Sequence, residues 1–291
     1  MNTFYGINAI FMWGALALLG TLTISIPPLQ LLSLCFFISW TLMFIKRALT
    51  KEPLLIKPCL TFKQWFIGIA ALFSFHFCYF MALKIAPAIE VSLISYLWPM
   101  LLAILVSPNK MKFQSLIGGF IGFIGVGVII MGNTKLSLKQ EYMPGYILAL
   151  SCAIIWTGYS WYLSKSKNKV DDIGWLSLGV ALLSFIAHLI LETSLWQFNA
   201  KLLLGIILLG LGPVGGAFYL WDLSLKKGNK SLLASLSFMA PLISSLLLSL
   251  FGISQWSINI VIALIFIITG ALISNKMDVL KHKLINARIA K

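Results

Sequence analysis

The sequence is poor in charged residues, and above all in acidic ones. Only 10% of its 291 residues are charged, and only eight are Asp or Glu. A soluble domain carries about a quarter charged residues, whereas 60% of this chain is apolar. The composition therefore predicts an integral membrane protein. The net charge of +14 does not indicate nucleic-acid binding, because the basic residues lie in short clusters between apolar runs.

The sequence motifs of enzymes and ATP-driven proteins are missing. The four cysteines, Cys35, Cys59, Cys78 and Cys152, show no C-x-x-C spacing, so neither a disulfide framework nor a zinc site is expected. The chain has no H-E-x-x-H, G-x-S-x-G or G-x-x-x-x-G-K-[ST] sequence. We therefore expect no metal, no cofactor, no catalytic residue and no ATP hydrolysis.

Long apolar runs are what the chain does contain. A run of about 20 apolar residues suffices for a helix to cross a bilayer. Ten such runs are bounded by charge, proline or polar clusters, at 4–22, 28–48, 62–83, 88–107, 115–132, 144–164, 173–193, 202–224, 231–250 and 258–275. The first run lacks the flanks of a cleaved signal peptide and is expected to be a retained span. The predicted fold is all-α, with ten transmembrane helices.

The distribution of basic residues predicts the orientation. With the N-terminus in the cytoplasm, 18 of the 22 Lys and Arg residues fall on the cytoplasmic side. The remaining four, Lys84, Lys135, Lys139 and Lys201, fall outside. Positively charged loops favour the cytoplasmic face, so both termini are expected to be cytoplasmic. A basic tail at 277–291 could lie on anionic lipid or serve only as a solvated anchor.

An internal repeat is visible at an offset of 142 or 143 residues. It pairs Pro99 with Pro241, Ser95 with Ser237, and Tyr96 with Phe238; it also pairs Trp13 with Trp156, and Gly127 with Gly270. Each half contains five predicted spans, an odd number, so the halves cross the membrane in opposite senses. This predicts two inverted five-helix repeats, 1–135 and 140–276, with a substrate site between them near the midplane.

The two prolines fall in the middle of apolar helices. Proline removes one backbone N–H and frees the carbonyl four residues earlier, here that of Ser95 or Ser237. Hydrocarbon tolerates a freed carbonyl only where polar groups or a water-lined cavity satisfy it. We therefore predict that Pro99 and Pro241 are hinges beside an internal cavity.

Several other side chains are expected at substrate-binding depth. Deep aromatic residues could line a pocket for flat apolar solutes and cationic groups, or could serve packing alone. His76 could likewise be a packed histidine or a gating and proton-sensing group. The predicted substrate-binding residues are Trp13, His76, Tyr79, Glu90, Ser95, Tyr96, Trp98, Trp156, Ser237 and Phe238.

Two acids lie closest to the interior of the spans. Intramembrane acids are often functional, but each has a structural alternative. Glu90 follows Pro87 and falls in the first turn of a helix, where the dipole favours a carboxylate. Asp222 lies four residues before Lys226 and could form a local ion pair. Glycines 118, 122 and 125 share a helix face and predict close helix packing.

These features resemble the drug/metabolite transporter superfamily with paired EamA domains, over essentially the whole chain. The sequences A-I-E-V at 88–91, Y-L-W-P at 96–99, W-D at 221–222, G-N at 228–229 and P-L-I-S-S at 241–245 are similar to its aromatic amino acid exporter branch. That branch often has an amide where this chain has Asp222. The resemblance implies export of aromatic amino acids or related amphipathic compounds across a bacterial inner membrane, by alternating access.

The resulting prediction is a secondary transporter with a small-molecule substrate, protons as a candidate coupling ion, and a monomeric state. Efflux of lipophilic cations, or transport of another metabolite, is the alternative within the same class. A channel would also need the apolar helices, but it would show unsaturated conductance instead of saturable counterflow. An intramembrane enzyme would need converging catalytic groups that the sequence lacks.

Overall fold

The computed structural model describes residues 2–55, 57–132 and 139–289, with side chains described as far as residue 274. Lys135 and the basic side chains of the predicted tail lie outside the described residues. Over the described ranges the regular structure is helical throughout, with no strand.

Fourteen α-helices follow one another along the described residues. In order they are α1 (Asn2–Gly14), α2 (Leu16–Gly20), α3 (Pro28–Leu49), α4 (Phe62–Ile85), α5 (Ala88–Ser95), α6 (Trp98–Val106), α7 (Lys112–Met131), α8 (Met143–Leu163), α9 (Asp172–Leu191), α10 (Ala200–Leu211), α11 (Gly216–Lys227), α12 (Lys230–Leu236), α13 (Met239–Leu250) and α14 (Ile258–Ile289). Single-turn 3₁₀ helices, Asn109–Met111 and Gln140–Tyr142, precede α7 and α8.

Alone or as consecutive pairs, these helices form membrane-spanning segments. Among the described residues, nine segments between Asn2 and Leu250 are long and apolar enough to cross a bilayer. The described apolar part of α14, Ile258–Ser274, is shorter and coincides with the tenth predicted span. The prediction of an all-helical, multi-pass membrane protein is confirmed, and the count of ten spans stays a prediction.

Two segments are interrupted just before a proline. α5 ends at Ser95 and α6 begins at Trp98, followed by Pro99. In the same way α12 ends at Leu236, and Pro241 is the third residue of α13. Because proline cannot bond the carbonyl four residues earlier, the helix loosens in the turn before it. The two prolines for which the sequence predicts a freed carbonyl thus lie beside helix interruptions, and their role as hinges stays a prediction.

A third interruption separates α10 from α11 and depends on glycine. A Cβ added to Gly215 would lie 1.8 Å from the carbonyl oxygen of Gly210, so only glycine fits this turn. The turn also contains Pro213, whose carbonyl oxygen accepts a hydrogen bond from the indole Nε1 of Trp13 at 3.1 Å. The break in one segment thereby fixes the orientation of a tryptophan on another.

The helices pack in specific pairs. α1 packs along α11, α3 along α9, α4 along α8 and α7 along α14, and α6 meets α12. The α7–α14 pair approaches closely through glycine: a Cβ on Gly118 would lie 2.4 Å from the carbonyl oxygen of Gly270. A Cβ on Gly125 would lie 3.0 Å from the carbonyl oxygen of Ala263. The close helix packing predicted from the glycine face is confirmed.

Polar contacts hold the antiparallel helices α3 and α9 together at both ends. At one end Arg47 Nε contacts Asp171 Oδ2 at 3.1 Å. At the other end the carboxylate of Glu192 accepts a bond from the backbone N–H of Leu29 at 3.1 Å, at the start of α3. We call the end with Arg47 and Asp171 the basic end, and the end with Leu29 and Glu192 the far end.

Candidate functional site

A cavity of about 330 Å³ lies inside the helix bundle. Segments from both halves of the chain form its wall, which is aromatic and aliphatic with a few polar groups. The predicted site residues in the wall are Trp13, His76, Tyr79, Ser95, Tyr96, Trp98 and Trp156. Seven of the ten predicted residues are thus brought together around one space, and their role as substrate ligands stays a prediction.

The cavity extends from the middle of the bundle toward the far end. Its wall includes Gly20, at the end of α2, and Leu31, in the first turn of α3. Leu31 lies two residues after Leu29, whose backbone N–H contacts Glu192 at the far end. The opposite limit of the cavity is set by tryptophans.

Four tryptophans form a packed layer on the basic-end side of the cavity. Trp13 lies at its centre, with ring centroids 5.1 Å from Trp221, 5.7 Å from Trp156 and 6.2 Å from Trp98. The interplanar angles are between 62° and 87°, the edge-to-face arrangement that aromatic quadrupoles favour. We call Trp13, Trp98, Trp156 and Trp221 the tryptophan layer. Trp13, Trp98 and Trp156 line the cavity on this side, and the fully buried Trp221 packs against Trp13 and Trp98.

One face of α4 supplies a row of aromatic side chains. Phe75 and Tyr79, and likewise His76 and Phe80, are four residues apart and therefore project from the same side of the helix. The hydroxyl groups of Tyr79 and Ser92 lie 3.4 Å apart. This row forms one wall of the cavity between the tryptophan layer and the far end.

The tautomer of His76 follows from its single backbone contact. Its Nδ1 lies 2.7 Å from the carbonyl oxygen of Leu72. A carbonyl can only accept, so Nδ1 must donate, and in the neutral ring Nε2 is then an acceptor. The ring is held edge-on against Phe36 and Phe75, at centroid distances of 5.5 and 4.9 Å. The cavity wall thus includes an oriented imidazole that can accept a hydrogen bond from an ammonium or an indole N–H.

The interruption before Pro99 brings polar atoms to the cavity. Ser95 and Tyr96, the last residue of α5 and the residue after it, both line the wall. The hydroxyl of Thr157 on α8 donates to the carbonyl oxygen of Trp98 at 3.2 Å. A break in a transmembrane helix therefore supplies backbone and side-chain dipoles in a wall that is otherwise apolar.

Three predicted site residues lie outside the cavity wall. Glu90 is buried near the start of α5, where its carboxylate accepts a hydrogen bond from the Tyr146 hydroxyl. Ser237 is fully buried, and its hydroxyl donates to the carbonyl of Leu233 at 2.8 Å. Phe238 is buried against α7, where a Cβ on Gly122 would lie 2.7 Å from its ring. Their assignment as substrate-binding residues stays a prediction without support from the cavity.

The structure also adds wall residues that the sequence did not single out. Phe75 and Phe80 follow from the helical spacing around His76 and Tyr79, so a periodicity argument could have found them. Phe218 stacks on Phe36 at 5.6 Å and contacts Trp156 at the same distance. No pattern in the sequence indicates that position, because its place depends on the turn between α10 and α11.

Glu90 and Asp222 lie where their structural roles, a helix-start carboxylate and a local ion pair, require them. Glu90 lies in the first turn of α5, and Asp222 Oδ2 pairs with Lys226 Nζ at 2.5 Å. The predicted ion pair is therefore confirmed. In the described ranges, no group of three or more His, Cys, Asp or Glu residues is arranged to hold a metal ion.

Comparisons with known proteins agree on one family. The EamA-like transporter family matches residues 2–131. The aromatic amino acid exporter YddG of Ancylobacter novellus is 34% identical over 277 residues, covering 94% of this chain and 96% of that protein. YddG of Salmonella typhimurium is 24% identical over 213 residues, covering 69% of this chain and 72% of that protein. A solved crystal structure aligns with a TM-score of 0.87 at 33% identity, covering 95% of this chain and 98% of the other.

Proposed function

The chain belongs to the EamA-like transporter family, and we propose that it exports aromatic amino acids or related small amphipathic metabolites by alternating access. The relatives with established names are transporters, and this chain is a transporter, not an enzyme. It moves a small-molecule substrate across a membrane. The identity of the substrate, the direction of transport and the mechanism are the proposed parts.

The aromatic cavity is the observation that carries the proposal. Its volume of about 330 Å³ is in the range of small-molecule pockets. The tryptophan layer and the aromatic row of α4 offer ring faces and edges to a flat apolar side chain. Nε2 of His76 and the dipoles at the Pro99 break supply acceptors for an ammonium group. This combination suits an amphipathic solute with one ring and one polar end.

The helix pairing supports the proposed inverted repeat of residues 1–135 and 140–276. Exchanging the two halves maps the α3–α9 contact onto itself and maps α1–α11 onto α4–α8. It also maps the α7–α14 contact onto itself. Alternating access in such repeats is rocking of one part against the other around a fixed site, with Pro99 and Pro241 as the proposed hinges.

We further propose that the protein lies in the bacterial inner membrane with both termini, and so the basic end, in the cytoplasm. The cavity then extends toward the outside in the observed conformation. Lys46, Arg47 and Lys226 lie at or near the basic end and fit this orientation. We propose a monomer, with protons as the coupling ion.

The test is a competition assay with purified protein in liposomes preloaded with unlabelled L-tryptophan. Uptake of labelled L-tryptophan should be saturable, and L-phenylalanine and L-tyrosine should compete with it. If only lipophilic cations compete, the substrate is a drug-like cation and not an aromatic amino acid. Unsaturated flux would indicate a channel, and flux of phosphorylated solutes only would overturn the proposal.

A further inference from the structure

A seam of hydrogen bonds closes the basic end beneath the tryptophan layer. All three of its donors lie on α11 or α12, and all three acceptors lie on the last turn of α8 or the segment after it. Trp221 Nε1 donates to Ser160 Oγ at 3.1 Å, Lys226 Nζ to the Asn168 carbonyl at 2.8 Å, and Lys230 Nζ to the Ser164 carbonyl at 2.5 Å. We call these three bonds the α8–α11 seam. Opening the basic end there requires that they break.

The carboxylate of Asp222 lies next to the seam, and within the described ranges only one of its two oxygens has a hydrogen-bond partner. Asp222 is 0% exposed, and its Oδ2 accepts from Lys226 Nζ at 2.5 Å. Its other oxygen, Oδ1, has no hydrogen-bond partner among the described residues, and neither has the buried hydroxyl of Tyr159. A buried carboxylate oxygen without a donor is unfavourable. Binding a proton at Oδ1 lowers that cost because it removes the buried negative charge, whereas water can donate a hydrogen bond to Oδ1 once the site is hydrated.

The charged and titratable surroundings of Asp222 are few. On its own helix it faces Lys226; Tyr159 of α8 and Asp172, the first residue of α9, lie within electrostatic range. α12 contributes Lys230, which bonds Ser164. α1, which packs along α11, carries no Asp, Glu, Lys, Arg or His. Lys226 is therefore the positive charge that stabilises an ionised Asp222, and the negative charge of Asp172 has the opposite effect.

The position of Asp222 connects the cavity to the seam. Its neighbour Trp221 belongs to the tryptophan layer, with ring centroids 5.1 Å from Trp13 and 6.0 Å from Trp98, both of which line the cavity. A displacement of the layer by substrate therefore moves the residue next to the carboxylate. The side chain that Asp222 holds, Lys226, is itself one of the seam donors.

We propose that Asp222 is the proton-binding site of the transporter: Oδ1 takes up a proton while the α8–α11 seam is closed and releases it to water when the basic end opens. This inference rests on the proposed transport function. The only bond made or broken is the O–H bond at Oδ1: water on the cavity side supplies the proton, and water at the opened basic end accepts it. Protonation neutralises the carboxylate and weakens its hold on Lys226. Because the closed seam favours the protonated acid, acid favours the closed basic end, and rising pH favours its opening.

The first test reads the seam directly and needs no substrate. The four native cysteines are replaced, and a single reporter thiol is placed at the buried Ser231 of α12 (S231C). Labelling by a membrane-impermeant thiol reagent from the basic end is normalised to an exposed control thiol, K227C. Between about pH 5.5 and about pH 8.5, normalised labelling should rise about tenfold in the parent and stay flat in Asp222→Asn.

The second test separates coupling from transport. In liposomes, an imposed pH gradient should accelerate substrate flux in the parent. Asp222→Asn should keep downhill flux within about threefold of the parent. Its gradient-driven accumulation of substrate should fall by about tenfold or more. Asp171→Asn is the matched control, since it removes a carboxylate from an ion pair at the same end outside the seam. It should keep the gradient response.

Gradient response or pH-dependent labelling that persists in Asp222→Asn overturns the inference, as does a parent that responds to neither. Should Asp222→Asn fail to fold, Asp222→Glu must keep a pH response with a shifted midpoint, and an unshifted midpoint overturns the inference. If L-tryptophan is not transported but labelling still depends on pH through Asp222, the substrate proposal fails and the proton site stands.

Discussion

The interruptions before Pro99 and Pro241 share a sequence pattern and differ in their surroundings. At the first, Ser95 and Tyr96 line the cavity. At the second, their counterparts Ser237 and Phe238 are buried at 0% and 2% exposure. The difference teaches that two similar backbone interruptions can have different surroundings, since only the first of them faces the cavity. We therefore expect changes at the first break to affect substrate affinity, and equivalent changes at the second to affect packing or conformational rate.

The largest effect is expected when both breaks are removed. Pro99→Ala and Pro241→Ala restore the missing N–H, so each helix can close its ladder, which proline in a helix interior opposes by about 3 kcal/mol. Each single variant should fold normally and transport about tenfold more slowly. The double variant should be nearly inactive and trapped facing one side.

Transport rates and cysteine accessibility from each side of the membrane would check this expectation. Only Pro99→Ala should also change the half-saturating substrate concentration, because closing its ladder moves Tyr96 and Trp98. A double variant with parental rates and unchanged accessibility would show that the prolines only serve packing.

Next in size is the matched pair Tyr96→Ala and Phe238→Ala. If the cavity binds substrate, removing the Tyr96 ring from its wall should lose about 2 kcal/mol of binding free energy, so Tyr96→Ala should raise the half-saturating concentration about thirtyfold. Phe238→Ala instead leaves a cavity against α7 and should lower the free energy of unfolding by about 3 kcal/mol. Thermal stability in detergent and concentration-dependent flux separate the two effects. The contrast between the two breaks would be wrong if Tyr96→Ala lowered stability and Phe238→Ala raised the half-saturating concentration.

A smaller contrast is expected between Thr157→Val and Ser237→Ala. The Thr157 hydroxyl donates to the Trp98 carbonyl across helices, and losing such a bond costs about 1 kcal/mol. The Ser237 hydroxyl only donates back within its own helix, so its loss should cost less than about 0.5 kcal/mol. Thermal denaturation of the purified variants measures both. Equal losses would mean that the second break depends on its hydroxyl as much as the first.

The smallest effect concerns Glu90, which lies near the start of the first broken segment. Glu90→Gln keeps an oxygen that can accept from Tyr146 but removes the charge at the start of α5, so we expect transport to change by about twofold. Glu52→Gln, which alters an exposed ion pair with Lys46, should change nothing measurable. If both variants are silent over a range of pH, Glu90 is only a favourable residue at a helix start.

Local rules predicted the features that depend on neighbouring residues. The prolines indicated where the two helices depart from regular geometry, the glycine face predicted the close α7–α14 contact, and four-residue spacing predicted the Asp222–Lys226 pair. Each of these follows from hydrogen bonding or side-chain direction within one helix. The family resemblance then joined them into a transporter fold.

What lies against each break could not be predicted in the same way. Phe238 is buried because Gly122, on a distant helix, leaves room for its ring. Phe218 lines the cavity from the first turn of α11, which begins directly after the turn at Pro213 and Gly215. Both depend on packing between helices far apart in sequence, which a one-dimensional pattern does not contain.

Substrate protection of a single cysteine at Ser95 tests the central claim most directly. In the chain without native cysteines, S95C should react with a water-soluble thiol reagent added from the far end. L-tryptophan should slow this reaction about tenfold at saturating concentration, L-lysine should not, and S237C should react slowly with or without either. Labelling of S95C that is indifferent to L-tryptophan, or equal protection of S237C, would contradict a substrate site at the first break.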